Sequence, residues 1–301
     1  MKTAIAIDIG GTKIKAGLVD EDGNILKETQ VSTRAEHGRQ AVYDQLDSIV
    51  RRFRRDDTIG GGIGSPGIID PNRNTVIEFG YNIKGWHKAH ITAQLERKYP
   101  ELIWRTENDA NCAALGELWQ GAAKGLESFI MITLGTGFGG SVYQKGTGLQ
   151  HGSHQLAGEL GHMLLYPGGR ACNCGQHGCV EQYLSGTALK KLYKECTGTY
   201  PKGSIFSLPD DDCARDIIDR FARELGLFFV SMTHAYDPDA FIIGGGLIHE
   251  KKIWWDGMET AYEEGLSFTS KTKILPAKRL NEAGMLGAAY LVFRNGGKDG
   301  S

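Results

Sequence analysis

No stretch of this chain approaches the roughly 18 consecutive apolar residues that a membrane-spanning helix needs, so a membrane protein is not expected. Nor does charge of one sign dominate: 34 basic side chains stand against 36 acidic ones, a formal net charge of −2. Such a balance supplies no field to draw a polyanion or an anionic bilayer, and neither nucleic acid nor membrane is an expected partner. The apolar start is interrupted at Asp8, too early for the core of a secretory signal, and the expectation is a cytoplasmic protein. Cysteine is scarce, six residues in 301, yet Cys172, Cys174 and Cys179 fall within a few positions of one another. In a reducing compartment that crowding points to metal ligation rather than disulfides. Cys112, Cys196 and Cys213 stand alone and read as packed or surface thiols. What remains is an ordinary globular composition, 41% hydrophobic and 23% charged, over a length that suits one large domain or two ordinary ones.

The order of signals along the chain predicts an α/β protein. Residues 3–9 and 14–19 read as strands around Gly10-Gly11, and Asp22-Gly23 marks a hairpin into a third strand near 25–31. Val42, Leu46, Ile49, Val50 and Phe53 recur at helical spacing, which predicts an amphipathic helix over about 37–55. A buried strand at 59–64 ends in the turn Ser65-Pro66-Gly67. A helix at about 91–98, a strand at 102–106 and a helix at 110–122 follow. The pattern then restarts: strand 129–134, a glycine-rich turn at 135–140, and a returning strand at 141–144. Two similar halves are therefore expected. A long helix at 214–236, a strand at 240–243, the turn Gly244-Gly245-Gly246 and a last helix at 283–293 complete the second, before a polar tail from Arg294 to Ser301 that is expected to be disordered.

Two glycine turns carry the first chemistry. Asp8-Ile9-Gly10-Gly11-Thr12-Lys13 and Leu134-Gly135-Thr136-Gly137-Phe138-Gly139-Gly140 each pair glycine with threonine between strands. Without a Cβ the backbone can bring its N–H groups against an anion. Neither is followed by the Gly-Lys-Ser/Thr of a P-loop, and neither opens directly onto a helix, which argues against a dinucleotide fingerprint. A plain tight hairpin is the competing reading of each turn taken singly. Asp8, at a strand end beside the first turn, suits magnesium held through water, and Gly244 to Gly246 would let backbone pass close to a flat ring such as adenine. The second cluster is His162-x9-Cys172-x-Cys174-x4-Cys179, one imidazole and three thiolates, which is a closed tetrahedral zinc set. On the residues alone His177 rivals His162 as the fourth ligand.

Taken together, the Asp8 to Lys13 segment, Glu107-Asn108-Asp109-Ala110-Asn111-Cys112, the Leu134 to Gly140 turn and the cysteine cluster resemble the ROK family of bacterial sugar kinases and sugar-responsive repressors. The resemblance runs to about Ala289. It implies an actin/hexokinase-like (ribonuclease H-like) fold of duplicated α/β domains with a cleft between them. The smaller domain would be 1–122 with the C-terminal helix 283–301, and the larger 123–282 with the zinc loop. It implies ATP with Mg2+ as phosphoryl donor, bound by Asp8, Gly10, Gly11, Thr12, Lys13, Gly135, Thr136, Gly137, Gly139, Gly244 and Gly245. Asp109 would accept the proton of a sugar 6-hydroxyl. Asn108, Glu159, His162, Glu181 and Gly67 would hold the sugar, His162 using one ring nitrogen for zinc and the other for a hydroxyl. Seen alone, Asn108 or Asp109 serves equally as a helix N-cap. A homo-oligomer, dimer or tetramer, is also implied.

The family's repressors carry a helix-turn-helix domain ahead of the first strand; that strand begins here at about residue 3, which favours a kinase. A non-catalytic sugar-binding protein is the third reading. The stretch from Cys174 to Gly186 is similar to N-acetylhexosamine kinases, with Gln182 where glucokinases of the family more often have threonine. Asn82-Ile83-Lys84-Gly85-Trp86 resembles glucokinases, with Lys84 in place of proline, and Ser141 stands where many members have glycine or alanine. N-acetylglucosamine and glucose lead as substrates; allose, fructose, mannose, N-acetylmannosamine and β-glucosides stay open.

Overall fold

The structure is a computed structural model that describes residues 1–78 and 83–294. Asn82 of the glucokinase-like segment and residues 295–301 of the polar tail lie outside the described residues. The chain divides into two compact units, 1–126 with 142–157 and 278–301, and 127–141 with 158–277.

The first unit is built on β1 (Thr3–Ile9), β2 (Lys13–Asp20) and β3 (Ile25–Ser32), then α1 (Arg39–Phe53), β4 (Thr58–Ser65), the small hairpin of β5 (Ile68–Asp70) and β6 (Thr75–Glu78), α2 (Ala93–Lys98), β7 (Ile103–Asn108) and α3 (Asp109–Gln120). Its sheet has the order β3-β2-β1-β4-β7. The first three strands form an antiparallel meander, and β4 and β7 add on in parallel. Every residue of β1 except Asp8 is buried, so the strand lacks alternation because both sheet faces are covered. The face of α1 expected to be apolar is buried, and Tyr43 joins it.

The second sheet runs β10-β9-β8-β11-β12. Its strands are β8 (Ser128–Leu134), β9 (Phe138–Gln144), β10 (Gly148–Leu149), β11 (Ala240–Gly244) and β12 (Lys273–Pro276). As in the first sheet, parallel pairs, here β8–β11 and β11–β12, extend a glycine-turned hairpin. The helices are α4 (Glu181–Leu184), α5 (Gly186–Thr197), α6 (Asp212–Tyr236), α7 (Lys251–Gly265) and α8 (Ala283–Phe293). Ser185 caps α5 and Asp211 caps α6, each side chain accepting a backbone N–H of the first turn.

Helix α8 belongs to the first unit and is apolar all round, which is the pattern of a helix enclosed by protein. It lies against β4 and α3 so closely that a Cβ on Gly62 would strike the Ala288 carbonyl and one on Gly287 would strike that of Cys112. The glycines of Thr58-Ile-Gly-Gly-Gly-Ile-Gly-Ser65 are thus in part a consequence of a helix more than two hundred residues downstream. No helix of the described residues is long and apolar enough to cross a membrane.

One sequence reading is corrected. Cys196 and Cys213 are joined by a disulfide, with Cα atoms 6.5 Å apart. Both were expected to be separate thiols. The loop between α5 and α6 returns the start of one helix to the end of the other, a proximity invisible at a sequence separation of 17.

Candidate active site

In the first unit the turn after β1 closes on itself: the Gly10 N–H donates to the Lys13 carbonyl at 2.9 Å. Thr33 clamps it, its hydroxyl donating to the Gly10 carbonyl at 2.7 Å and its N–H to that of Thr12 at 3.0 Å. The Gly10 N–H is therefore spent, whereas those of Gly11 and Thr12 have no protein acceptor among the described residues. Lys13 begins β2 with an exposed side chain. Asp8 as a whole residue is half-buried, but desolvation of its carboxyl group raises it above its ordinary range while Lys15 pulls it down. Gly284 at the start of α8 gives it room, since a Cβ there would sit 2.9 Å from Asp8 Oδ2. A carboxyl group whose desolvation outweighs the attraction of Lys15 suits a cation.

The connection from β7 to α3 is held from both sides. Asn108 is the N-cap, its Oδ1 accepting from the N–H groups of Ala110 (2.9 Å) and Asn111 (3.2 Å) while its Nδ2 donates to the Gly67 carbonyl at 3.1 Å. Its acceptor is thus engaged and one amide hydrogen remains for a ligand. Gly67, at φ +101°, turns β4 toward this contact. Asp109 opens α3, half-buried, with Oδ1 also accepting the Ala110 N–H at 2.9 Å. Two further residues of the motif, given no role by the sequence, adjoin this connection. Glu107, 2% exposed, pairs with His151 at 2.7 Å. Cys112 is fully buried, and burial together with the charges of Glu107, Asp8 and Asp109 raises its thiol pKa.

In the second unit the turn Gly135-Thr136-Gly137 is likewise closed, Gly135 N–H to Gly137 carbonyl at 3.0 Å, and Gly139 lies inside β9. The N-terminus of α5 braces it: Gly186 N–H donates to the Gly135 carbonyl at 2.8 Å and Thr187 N–H to that of Thr136 at 3.3 Å. The only signal for this brace in the sequence is Ser185 as a helix cap. Gly244 is buried, and Gly245, at φ +84°, passes so near Leu134 that a Cβ would lie 2.7 Å from its backbone nitrogen. Glu181, first residue of α4, accepts the Phe138 N–H at 3.0 Å. Burial raises the Glu159 carboxyl, with His162 opposing and Glu181 adding to the effect. The Ser141 hydroxyl is buried without a hydrogen-bond partner among the described residues.

His162, Cys172, Cys174 and Cys179 offer donor atoms that all lie within 4.8 Å of one another. Cys174 Sγ is 3.6 Å from Cys179 Sγ, and His162 Nδ1 is 3.7 Å from Cys172 Sγ. Ligands of a tetrahedral zinc at about 2.3 Å stand roughly 3.8 Å apart, so the set fits the ion. His177 is not among these donors; it pairs with Ala171 in the strand-like turn that carries the cysteines. Gln182, one of the sequence departures, donates its amide to Cys172 Sγ at 3.5 Å.

Two glycine-turned sheets of matching order, each extended by parallel strands, define the actin/hexokinase-like α/β class. Within that class the chain belongs to the ROK family, whose model matches residues 4–295. It is 32% identical to a glucokinase of Thermotoga maritima, covering 96% of each chain. It is 30% identical to an N-acetyl-D-glucosamine kinase of Vibrio cholerae, covering 94% of this chain and 97% of that one. A ROK family glucokinase from Streptomyces griseus, solved in complex with glucose and AMPPNP, superposes with a TM-score of 0.82 at 34% identity, over 98% of this chain and all of that one.

Proposed function

We propose that the chain is an ATP-dependent sugar kinase that transfers the γ-phosphoryl group to the 6-hydroxyl of a hexose or N-acetylhexosamine, glucose or N-acetylglucosamine. The observation that carries the reading is the β7–α3 connection, where a half-buried carboxylate, Asp109, opens a helix whose cap is supplied by its neighbour Asn108. Asn108 caps the helix through Oδ1, and Asp109 shares the Ala110 N–H through its own Oδ1, so the helix start holds the Asp109 carboxylate in place.

In this reading Asp109 takes the proton of the attacking hydroxyl, and Asn108, Gly67, Glu159, His162 and Glu181 orient the sugar. General-base assistance of this kind contributes about 10²–10⁴ in rate. The N–H groups of Gly11 and Thr12, and of Thr136 and Gly137, receive phosphate oxygens; Lys13 adds positive charge, and Gly244-Gly245 gives the nucleotide base a flat approach. Asp8 would hold Mg2+, which when bound neutralises charge on the phosphates. His162, Cys172, Cys174 and Cys179 would hold a structural zinc ion, which when bound would fix the orientation of the His162 ring toward the sugar. A cytoplasmic location and a homo-oligomer accompany the proposal.

The test is a coupled ATP-consumption assay across glucose, N-acetylglucosamine, N-acetylmannosamine, mannose, fructose and allose, with Asp109→Asn as control. Asp109→Asn is expected to lose at least a hundredfold in kcat while calorimetry still detects sugar binding. A variant within tenfold of wild type would remove Asp109 from the role of base.

A further inference from the structure

Glu107 is the residue immediately before the Asn108-Asp109 pair, and nothing in the proposed chemistry uses it. It is buried to 2% exposure, and both of its oxygens are committed. Oε1 accepts the Asn108 N–H at 2.8 Å and the Asn111 side-chain amide at 3.0 Å. Oε2 meets His151 Nε2 at 2.7 Å. The first two contacts bracket Asp109, one on the residue before it and one a half-turn after it. The third comes from the segment after β10, far away in sequence but within the same compact unit.

A buried carboxylate without a compensating charge tends to protonate or to recruit another partner. Either response would weaken the acceptor that holds Asn108 and Asn111, and so would loosen the residue between them. His151 is the cationic partner at hand. Its side chain is 25% exposed, which leaves it able to exchange protons with solvent, and the bond to Glu107 raises its pKa above the ordinary imidazole value.

We propose that His151 is a positioning residue for Asp109: paired with Glu107, it locks the backbone and side-chain contacts on either side of the base. It touches neither substrate in this scheme. The inference rests on the kinase reading, and displacing a base by a fraction of an ångström lowers kcat far more than it alters ground-state binding.

The experiment is steady-state kinetics on the full chain for wild type, His151→Leu and His151→Gln, with melting followed by circular dichroism. His151→Leu is expected to lose about tenfold or more in kcat, with KM for sugar and for ATP within twofold of wild type. His151→Gln, which keeps a donor within reach of Glu107, is expected to recover most of that loss. A His151→Leu protein with kcat within twofold of wild type overturns the inference, as does a KM that rises as much as kcat falls. Should His151→Leu fail to fold, His151→Gln against His151→Asn decides, because the shorter amide falls one methylene short of Glu107; equal kcat values would count against the proposal. A wild-type chain inactive on every sugar sinks the kinase reading and this inference with it. An active wild type with an unaffected His151→Leu sinks this inference alone.

Discussion

The carboxylate of Glu181 accepts the backbone N–H of Phe138, 43 residues earlier, at 3.0 Å. The same oxygen occupies the space a side chain at position 137 would need. A residue assigned to the sugar is thereby part of the wall of the second glycine turn, assigned to phosphate. Removing it should be felt at both substrates. Glu181→Ala is expected to raise KM for sugar and for ATP about tenfold or more, since a hydrogen bond to a charged group is worth about 1.5–3 kcal/mol. Glu181→Gln, which keeps an acceptor oxygen, should disturb ATP less. An ATP KM unchanged in Glu181→Ala would disconnect the two.

The cysteine cluster gives a second prediction. Because its three sulfurs and a His162 ring nitrogen converge within 4.8 Å of one another, and metal binding at such a set is coupled to folding, a metal-free loop should be poorly ordered. Chelation or Cys174→Ser is expected to lower the melting temperature and the sugar affinity together, with metal content checked by mass spectrometry. An unchanged sugar KM in verified zinc-free protein would separate the ion from the sugar site.

The Glu107–His151 pair predicts a pH dependence of stability. Its bond to Glu107, aided by the charges of Glu107 and Asp70, raises the His151 pKa above its ordinary value of about 6.5, although partial burial opposes this. A group whose native pKa is raised stabilises the fold while it holds its proton. The contribution is therefore complete below about pH 6.5 and fades as pH climbs through the raised native value. Denaturant titrations between pH 6 and 9 should show a decline in wild type that His151→Gln lacks. Parallel curves for the two proteins would contradict the assignment.

The Cys196–Cys213 bridge closes a short loop between α5 and α6, and a cross-link of that span is worth about 3 kcal/mol by loop-closure entropy. Reduction, or Cys196→Ser with Cys213→Ser, should lower the melting temperature of the oxidised protein. Identical melting with and without a phosphine reductant would mean that the pair rests as thiols, the state a reducing cytoplasm favours.

How much of this was legible beforehand follows from the range of the interactions. The strand expected at 240–243, the helices α1, α3, α6 and α8 and both glycine turns were readable because their signals are local: apolar periodicity, and glycine between strands. The cysteine cluster was readable because its ligands fall within eighteen residues and thiolates at such spacing have few other uses. The choice between His162 and His177 was not readable from spacing, which both satisfy; the family resemblance favoured His162, and the folded turn brings that imidazole among the sulfurs.

Asn108 shows the same division inside one motif. Its residue type allowed a helix cap or a sugar ligand; the fold committed its oxygen to the cap and left a single amide hydrogen. The amino-acid sequence by itself determined the duplicated α/β plan, the family motifs and the zinc-type ligand set, since these depend on neighbours along the chain. Only the tertiary structure decided that Glu107 meets His151, that Glu181 walls the Gly137 turn, that α5 braces Gly135, and that Cys196 meets Cys213. Each of these is a contact between segments whose separation carries no periodic signal. Burial creates the need for a partner, but only packing selects which distant residue supplies it.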